Sequence, residues 1–399
     1  MVKETSDIKS RVCSLVLRSM DFADELSEEE VLKAIDDTIT TLPEREVLTL
    51  EEILELRKEV YNSIKKFDVI QEFLDDETVT EIMINGTDAI FIEREGTLIQ
   101  TDKKFSSKEK LEDVIQQMVG ACNRTVNEAF PIADARLSTG ERINVVLAPV
   151  ALNGPIVTVR RFPRTPITMD RLIELGTLTE EAAFFLQTLV KARYNIFISG
   201  GTGTGKTTFL NALSMYIPTD ERIITIEDSA ELQLIGAKNL VRLETRNKNT
   251  EGCIPIEIRD LIRSALRMRP DRVIVGEVRG AEAVDMLQAM NTGHDGSLST
   301  GHANSSADML ARLETMVLSG MDIPLFAIRG QIAGGIDILI HLSRLRDKRR
   351  VVSEISEIEG LKDGEIKLNC LYRFEDGLLK PVGDLINTRK LKGFREDGL

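Results

Sequence analysis

The sequence feature that most constrains this chain is a glycine-rich run of eight residues, GGTGTGKT, at positions 200–207. It satisfies the pattern GxxxxGK[ST], follows the apolar segment NIFIS and precedes the helical pattern TTFLNALSMY. Glycines let such a loop curl so that several backbone N–H groups point inward, and the N-terminus of the following helix adds partial positive charge. The order of strand, loop and helix therefore predicts a phosphate-binding loop, called the P-loop below.

The P-loop also assigns roles to individual side chains. We expect Lys206 to reach the β- and γ-phosphates of ATP and the Thr207 hydroxyl to bind Mg²⁺. The candidate ATP-binding residues are Gly200, Gly201, Thr202, Gly203, Thr204, Gly205, Lys206, Thr207 and Thr208. The expected cofactors are ATP and Mg²⁺.

The segments around the P-loop predict the rest of its domain. Over residues 164–345, helical patterns alternate with the apolar segments NIFIS, RIITIED, RVIVGEV, GSLST and DILIHL. Such alternation is typical of an α/β fold with a parallel sheet, which binds ligands at the carboxyl ends of its strands. Residues 346–399 are predicted to form a separate C-terminal hairpin and tail. Its basic turn, Arg346 to Arg350, is interpreted as solvated, with a contact to lipid headgroups as the alternative.

The chain upstream of the P-loop divides into two further predicted regions. Residues 1–73 carry apolar positions at helical spacing, which predicts a small helical bundle. Residues 75–163 contain short strands separated by turn signals and one helix over 108–123, which predicts an α+β domain. Pro163 and Pro166 mark a linker to the P-loop domain.

Charge and hydrophobicity exclude some classes of function. The 399 residues contain 51 Lys plus Arg and 65 Asp plus Glu, a net charge of -14, so a nucleic-acid partner is not expected. The N-terminus MVKETSDIKSRV lacks the apolar core of a signal peptide, and the sequence contains no apolar stretch of membrane-spanning length. We expect the chain to remain in the cytoplasm.

Hydrolysis requires carboxylates that orient water and hold the shell of the metal. Glu277 in RVIVGEV is the candidate for polarising water and for binding Mg²⁺ through water, because Gly276 occupies the position where Asp is often found. The alternative is a strand-end carboxylate paired with Arg279. Glu227 and Glu231 form a second candidate catalytic cluster after RIITIED.

Histidines and arginines supply further candidates. His294 and His302 flank GSLST, and each has either a phosphate-sensing or a structural role. Four-residue spacing relates Arg259, Arg263 and Arg267, so we expect them on one helix face, either solvated or facing a phosphate or a subunit. In the preceding domain, the candidates for contacts with bound nucleotide are Arg142, Arg160 and Arg161.

The motifs together resemble those of a known family. GGTGTGKT, ITIEDSAEL, LIRSALRMRPDRVIVGEVRG and MNTGHDGSLSTGHANS follow one another, and VTEIMINGTDAIFIE, DARLSTGERIN and TVRRF precede them. The combination resembles the secretion and pilus-assembly ATPase superfamily over about residues 75–345. Within that superfamily, the amino-acid sequence of these motifs is most similar to the tight-adherence pilus ATPase. A tetracysteine zinc module typical of type II secretion ATPases is missing, which favours the pilus or type IV secretion side.

The resemblance implies a RecA-like P-loop ATPase domain, an α+β PAS-like domain before it, and a homo-hexameric ring with nucleotide between the two domains. It places Glu227 and Glu231 in the family's Asp box and His294 and His302 in its His box. It also implies that Arg142 and Arg160 contact phosphate.

These features predict an ATP-hydrolysing motor for pilus assembly or secretion, peripherally associated with the inner face of the cytoplasmic membrane. Its partners would be polytopic platform proteins and, indirectly, prepilins. A conjugative-type secretion ATPase and a pilus retraction motor are the near alternatives. A RecA-like nucleic-acid motor and a nucleotide-gated scaffold that does not hydrolyse ATP are alternatives of another class.

Overall fold

A computed structural model describes residues 2–20, 27–94, 96–161, 166–246 and 254–396. The chain divides into two compact units, residues 1–164 and 165–399. Pro163 of the predicted linker lies outside the described residues. Within the described ranges, no helix combines the length and the apolar character needed to cross a bilayer.

Unit 1 begins with a helical bundle formed by α1 (Val2–Ser19), α2 (Glu28–Thr40) and α3 (Leu50–Lys65). Two capping boxes set the helix starts, because Ser27 with Glu30 and Thr49 with Glu52 satisfy backbone N–H groups that the helices leave unpaired. The buried apolar residues of the three helices, together with Leu42 just after α2, form a core of their own: Val12, Val16, Val31, Ile35, Ile39, Leu42, Leu56 and Val60.

The rest of unit 1 is an antiparallel sheet of six strands in the order β3-β2-β1-β6-β5-β4. Its strands are β1 (Val79–Asn85), β2 (Ile90–Arg94), β3 (Thr97–Gln100), β4 (Ile132–Arg136), β5 (Arg142–Val146) and β6 (Ile156–Arg160). The helices α4 (Gln71–Asp75) and α5 (Lys108–Gly120) share a core with it. Alternate residues of the strands, such as Ile82 and Ile84, are buried in that core.

Unit 2 contains a nine-stranded sheet in the order β15-β14-β13-β12-β7-β11-β10-β8-β9. Its strands are β7 (Ile196–Gly200), β8 (Arg222–Glu227), β9 (Asn239–Glu244), β10 (Arg272–Val278), β11 (Leu298–Gly301), β12 (Ile338–Arg344), β13 (Arg350–Lys362), β14 (Glu365–Glu375) and β15 (Leu378–Pro381). Its helices are α6 (Met169–Glu174), α7 (Glu180–Lys191), α8 (Lys206–Ser214), α9 (Ile258–Ala265), α10 (Ala283–Asn291), α11 (Ser306–Gly320), α12 (Leu325–Gly335) and α13 (Arg389–Glu396).

The sheet of unit 2 is buried on both faces. Along β7, Ile196 and Ile198 belong to one apolar core and Phe197 belongs to a second. The six strands β7 to β12 are parallel. Burial on both faces explains why β7, β8, β10, β11 and β12 read as continuous apolar runs, whereas β9, at the edge, is largely exposed. The predicted α/β class is confirmed.

Residues 346–399 are not a separate region, contrary to the expectation from the sequence. β13 pairs antiparallel with β12, β14 pairs with β13, and β15 pairs with β14, so the hairpin extends the parallel sheet. The pairing covers what would otherwise be an exposed edge of β12.

Arg161 ties unit 1 together from within. Its Nη1 donates to the backbone carbonyls of Phe73 and Asp76 and, at 3.0 Å, of Val79. Only 8% of its side chain is exposed. We therefore do not retain Arg161 among the candidate nucleotide contacts, because its donors already serve the chain around α4 and β1.

We expect Arg161→Ala to destabilise unit 1 by about 2–3 kcal/mol, because it leaves buried carbonyl groups without donors. Hydrogen–deuterium exchange should show amides of β1 and β6 exchanging roughly 30- to 150-fold faster. Arg160→Ala is the matched control, since 57% of that side chain is exposed and its contact with Glu81 spans 3.8 Å. Equal protection in the two variants would contradict the assignment.

Candidate active site

The P-loop connects the end of β7 with the start of α8. A Cβ at Gly200 would lie 2.6 Å from the carbonyl oxygen of Leu342 on β12 and 2.7 Å from Oγ1 of Thr204, so only glycine fits there. The Thr204 hydroxyl donates to the carbonyl of Gly201 and holds the loop in a curl. Thr207 and Thr208 lie half-buried in the first turn of α8. The loop thus has the form of a cradle at a helix N-terminus, which suits the phosphate groups of a nucleotide.

Lys206 is buried inside this cradle. Its Nζ donates to the carbonyl oxygens of Gly200 and Gly201, at 3.1 Å each. Burial lowers the pKa of the Lys206 ammonium, and the positive charge of Arg279 lowers it further, while Glu277 opposes both effects.

The strands beside β7 bring acidic and imidazole side chains to the same edge of the sheet. β8 ends at Glu227, β10 carries Glu277 near its end, and His302 directly follows β11. β10 also contains an irregularity, because Val275 pairs with Ser299 and Val278 with Gly301, which leaves one extra residue on β10. Such a bulge redirects side chains, and here it falls on Gly276 and Glu277.

Glu277, His302 and Lys206 form a connected chain. Nε2 of His302 lies 2.7 Å from Oε1 of Glu277, and Nδ1 of His302 lies 3.2 Å from Nζ of Lys206. An ammonium group only donates, so Nδ1 is the acceptor and the ring proton is assigned to Nε2. Oε1 of Glu277 lies close to Nε2, but among the described residues it has no partner with hydrogen-bond geometry. Burial lowers the pKa of His302, and the charge of Lys206 lowers it further, which favours this neutral form.

Arg279 provides the second contact of Glu277. Its Nη2 lies 2.7 Å from Oε2 of Glu277, and its Nη1 lies 3.6 Å from Oδ2 of Asp228. The pairing with Arg279 that sequence analysis raised as an alternative is therefore present. It occupies one carboxylate oxygen, while the other faces His302.

Glu227 is buried beside the bulge, with 3% of its surface exposed. Its Oε2 accepts from the backbone N–H groups of Glu231, at 2.7 Å, and Leu232, at 2.8 Å. A Cβ at position 276 would lie 3.0 Å from Cγ of Glu227, so glycine at 276 makes room for the glutamate. Burial raises the pKa of Glu227 to about 7, although the two N–H donors lower it.

This arrangement fits ATP and Mg²⁺. The cradle has N–H donors and a lysine for the phosphate groups. The Thr207 hydroxyl and the carboxylates supply the oxygen ligands that Mg²⁺ prefers. Oε1 of Glu227, in addition, is buried without a hydrogen-bond partner among the described residues.

Residues 63–359 match the family described as type II/IV secretion system protein. The chain belongs to this family. The conjugal transfer protein TrbB of Rhizobium radiobacter is 33% identical over 306 residues, which cover 76% of this chain and 91% of TrbB. The type IV secretion system protein VirB11 of Bartonella henselae is 30% identical over 328 residues, covering 72% and 91%. The resemblance read from the motifs is confirmed at the level of the superfamily.

A solved structure agrees on the fold. The ATPase DotB of Legionella pneumophila aligns with a TM-score of 0.52 at 22% identity and covers 72% of this chain and 79% of its own. The RecA-like domain with a preceding N-terminal domain, expected from the secretion ATPase resemblance, is consistent with this likeness.

His294 does not reach the P-loop. It precedes β11, whereas the P-loop and His302 follow the ends of the parallel strands β7 and β11. The two ends of a parallel strand lie at opposite edges of the sheet, so His294 is on the other edge, where its Nδ1 lies 3.2 Å from the carbonyl of Ala289. The structure therefore does not bring His294 together with His302 at the P-loop, as the expectation of a shared catalytic role required.

The three arginines expected on one helix face do not form a stripe. α9 ends at Ala265, so Arg267 lies beyond it. Arg259 and Arg263 both contact the buried carboxylate of Asp285, at 3.3 and 2.8 Å. That shared ion pair joins α9 to α10.

In unit 1, Arg142 and Arg160 are directly opposite each other on β5 and β6, and both side chains are about half exposed. Their proposed contact with phosphate rests on the family resemblance alone.

Sequence reasoning missed two supporting contacts. Thr300 Oγ1 donates to the carbonyl of Gly276 and holds the bulge. His341, for which sequence reasoning indicated no functional role, lies buried on β12 with Nδ1 2.8 Å from Oγ of Ser199, directly before the P-loop. Both depend on strand pairing between segments far apart in sequence, which no local pattern reveals.

We expect Glu227 to make the free energy of unfolding depend on pH. Its pKa is about 7 when folded and near 4.5 when unfolded, so the folded state holds the proton more tightly. This contribution is complete below about pH 4.5 and is lost as the pH rises through 7, on the order of 3 kcal/mol. Urea unfolding from pH 4.5 to 8 should show that Glu227→Gln, which retains an acceptor, lacks this loss. Parallel pH profiles for the two proteins would contradict the assignment.

Proposed function

We propose that this chain is an ATP-hydrolysing motor. The observation that carries the proposal is the contact chain from Lys206 through His302 to Glu277, which links the phosphate cradle to a candidate catalytic carboxylate. A nucleotide-gated scaffold would need the cradle but would have no use for a carboxylate linked to it.

Each residue of the chain has a distinct task in the proposed reaction. ATP with Mg²⁺ supplies the phosphoanhydride bond and the cation that neutralises developing charge. When ATP binds, Nζ of Lys206 would donate to phosphate oxygens instead of to the carbonyl oxygens of Gly200 and Gly201. His302 lies between Lys206 and the Glu277 carboxylate, whose buried Oε1 has no hydrogen-bond partner among the described residues. Glu277 is therefore placed to orient the attacking water and to accept its proton, while the bond from the γ-phosphorus to ADP breaks and ADP leaves. Glu227 fixes the backbone N–H groups at Glu231 and Leu232, which positions that loop beside the carboxylate.

The proposed work is secretion or pilus assembly. TrbB is named for conjugal transfer and VirB11 for type IV secretion, which supports a motor of a secretion machine. The segments RMRPDR and VRGAEAVDMLQAMNTGHDGS resemble those of the tight-adherence pilus ATPase, which supports assembly of that type of pilus as the specific function. We propose a ring of six copies at the inner face of the cytoplasmic membrane that acts on polytopic platform proteins and, through them, on prepilins. Arg142 and Arg160 are included as phosphate contacts on the strength of the resemblance.

We expect Glu277→Gln to lower the rate of ATP hydrolysis at least about 100-fold, because general-base assistance contributes that much. Binding of ATP should change by less than about threefold, since the P-loop is intact. Phosphate release in the presence of Mg²⁺ and binding of a fluorescent ATP analogue measure the two quantities.

Glu314→Gln is the matched control. Glu314 is 18% exposed and lies 2.7 Å from Arg329, much as Glu277 is 20% exposed and lies 2.7 Å from Arg279, but it belongs to α11. Turnover in Glu277→Gln equal to that in Glu314→Gln would disprove the catalytic role of Glu277. A wild-type protein that binds ATP without turnover would favour the scaffold.

The pilus assignment predicts that cells lacking this gene make prepilin but no surface filaments. A gene copy with Glu314→Gln should restore the filaments and one with Glu277→Gln should not, because assembly requires hydrolysis. Electron microscopy and immunoblotting of the pilin provide the readout. Normal filaments with a loss of conjugative DNA transfer would show that the conjugal transfer assignment is correct instead.

A further inference from the structure

A pair of arginines outside all the motifs lies against the P-loop. Arg344 is the last residue of β12 and Arg350 is the first residue of β13, and the two are directly opposite each other in the antiparallel register. The turn that joins them is closed by a hydrogen bond from the N–H of Leu345 to the carbonyl of Arg349. The pairing of β12 with β7 places the end of this hairpin beside the loop, since Leu342 is opposite Gly200.

Arg350 touches the P-loop directly. Its Nε donates to the carbonyl oxygen of Gly203 at 3.0 Å, and its Cδ lies 3.4 Å from the position that a Cβ would take at Gly205. Nη1 of Arg344 lies 4.0 Å from the corresponding position at Gly203. Both guanidinium groups therefore lie at the tip of the loop, where the backbone N–H groups of a P-loop face phosphate.

The charges of these two side chains are not balanced by the protein around them. Within the part of the chain that the structure describes, neither guanidinium group is paired with a carboxylate. The acid of the turn, Asp347, instead pairs with Arg349 at 2.7 Å. Like charges directly opposite each other on neighbouring strands are destabilising. A bound anion would relieve this repulsion, whereas the folded protein alone does not.

We propose that Arg344 and Arg350 bind the phosphate groups of the nucleotide and so extend the P-loop with charge from the C-terminal hairpin. The inference rests on the proposed binding of ATP to Lys206 and its loop. Arginine suits this task because its planar group donates to two phosphate oxygens at once. One donor of Arg350 remains on Gly203 while its Nη atoms serve the ligand. This assignment gives Arg350, the last residue of the basic turn, a role other than solvation or contact with lipid headgroups.

The experiment measures binding of ADP and of pyrophosphate, which lacks the nucleoside, by calorimetry. We expect Arg350→Gln and Arg344→Ala each to weaken both ligands about tenfold or more, as the loss of a hydrogen bond to a charged group does. Both variants should also lose part of the salt dependence of binding. Arg349→Ala is the matched control and should bind as the wild type does. That side chain is exposed, and among the described residues it pairs with Asp347 of the same turn alone.

The choice of glutamine at 350 separates two roles. Glutamine can still donate to the Gly203 carbonyl but carries no charge, so a mere support for the loop would survive the change. Binding by Arg350→Gln at the wild-type level would therefore overturn the proposal. Weakened ADP binding with unchanged pyrophosphate binding would also overturn it, because the contact would then be to the nucleoside.

Lys206→Ala distinguishes failure of this inference from failure of the proposed function. If the wild type binds and Lys206→Ala does not, while the Arg344 and Arg350 variants match Arg349→Ala, only the role of the hairpin is wrong. If the wild type binds neither ligand, the proposed nucleotide site itself is wrong. Circular dichroism melting of each unliganded variant verifies that it is folded, and removing one of two facing like charges should not lower its melting temperature.

Discussion

The parallel pairing of β7 with its two neighbours determines which side chains meet at the P-loop. Ser199 is opposite Gly301 on β11 and opposite His341 on β12, so His302 and Leu342 both fall level with Gly200. With this register, His302 after β11 contacts Lys206, and Arg344 and Arg350 of the β12–β13 hairpin lie against Gly203. A slip of one residue in the pairing of β7 with β11 would send the imidazole of His302 to the opposite face of the sheet.

Burial gives the site its electrostatic character. It raises the pKa of Glu227 and lowers those of Lys206 and His302, so each group is held towards its neutral form. Neighbouring charges also shift these pKa values. The Glu277 carboxylate raises the pKa of Lys206 and of His302 and so favours their charged forms, whereas Arg279 lowers both. We therefore expect the protonation of Glu227, Lys206 and His302 to change when the phosphate groups of a nucleotide bind together with Mg²⁺.

The sequence predicts the parts of this arrangement that depend on local patterns. Short segments of known structural behaviour predict three of them: the P-loop, the alternation of helices and strands that gives a parallel sheet, and the acidic strand end at Glu277. Pairing over long distances is not encoded in this way. The hairpin beyond residue 345 reads as a separate element because its pairing with β12 leaves no mark on its own sequence. His294 reads like His302 because spacing along the chain does not tell which end of a strand a side chain occupies.

Arg161 and Arg267 illustrate a second limit. A run of basic residues indicates charge, but whether a guanidinium group faces a ligand or the backbone of its own domain depends on the turn against which it packs. For Arg161 that turn is near α4, more than 80 residues away in sequence, as its bond to the carbonyl of Val79 shows.

The contact between Gly276 and Glu227 bears on which residue can stand at the bulge of β10. An aspartate at 276 would place its Cβ 3.0 Å from Cγ of Glu227, so the glutamate would have to shift by a few tenths of an ångström to admit it. Any such shift would act on the hydrogen bonds that Glu227 accepts from the N–H groups of Glu231 and Leu232. The residues at 276 and 227, on neighbouring strands, therefore constrain each other.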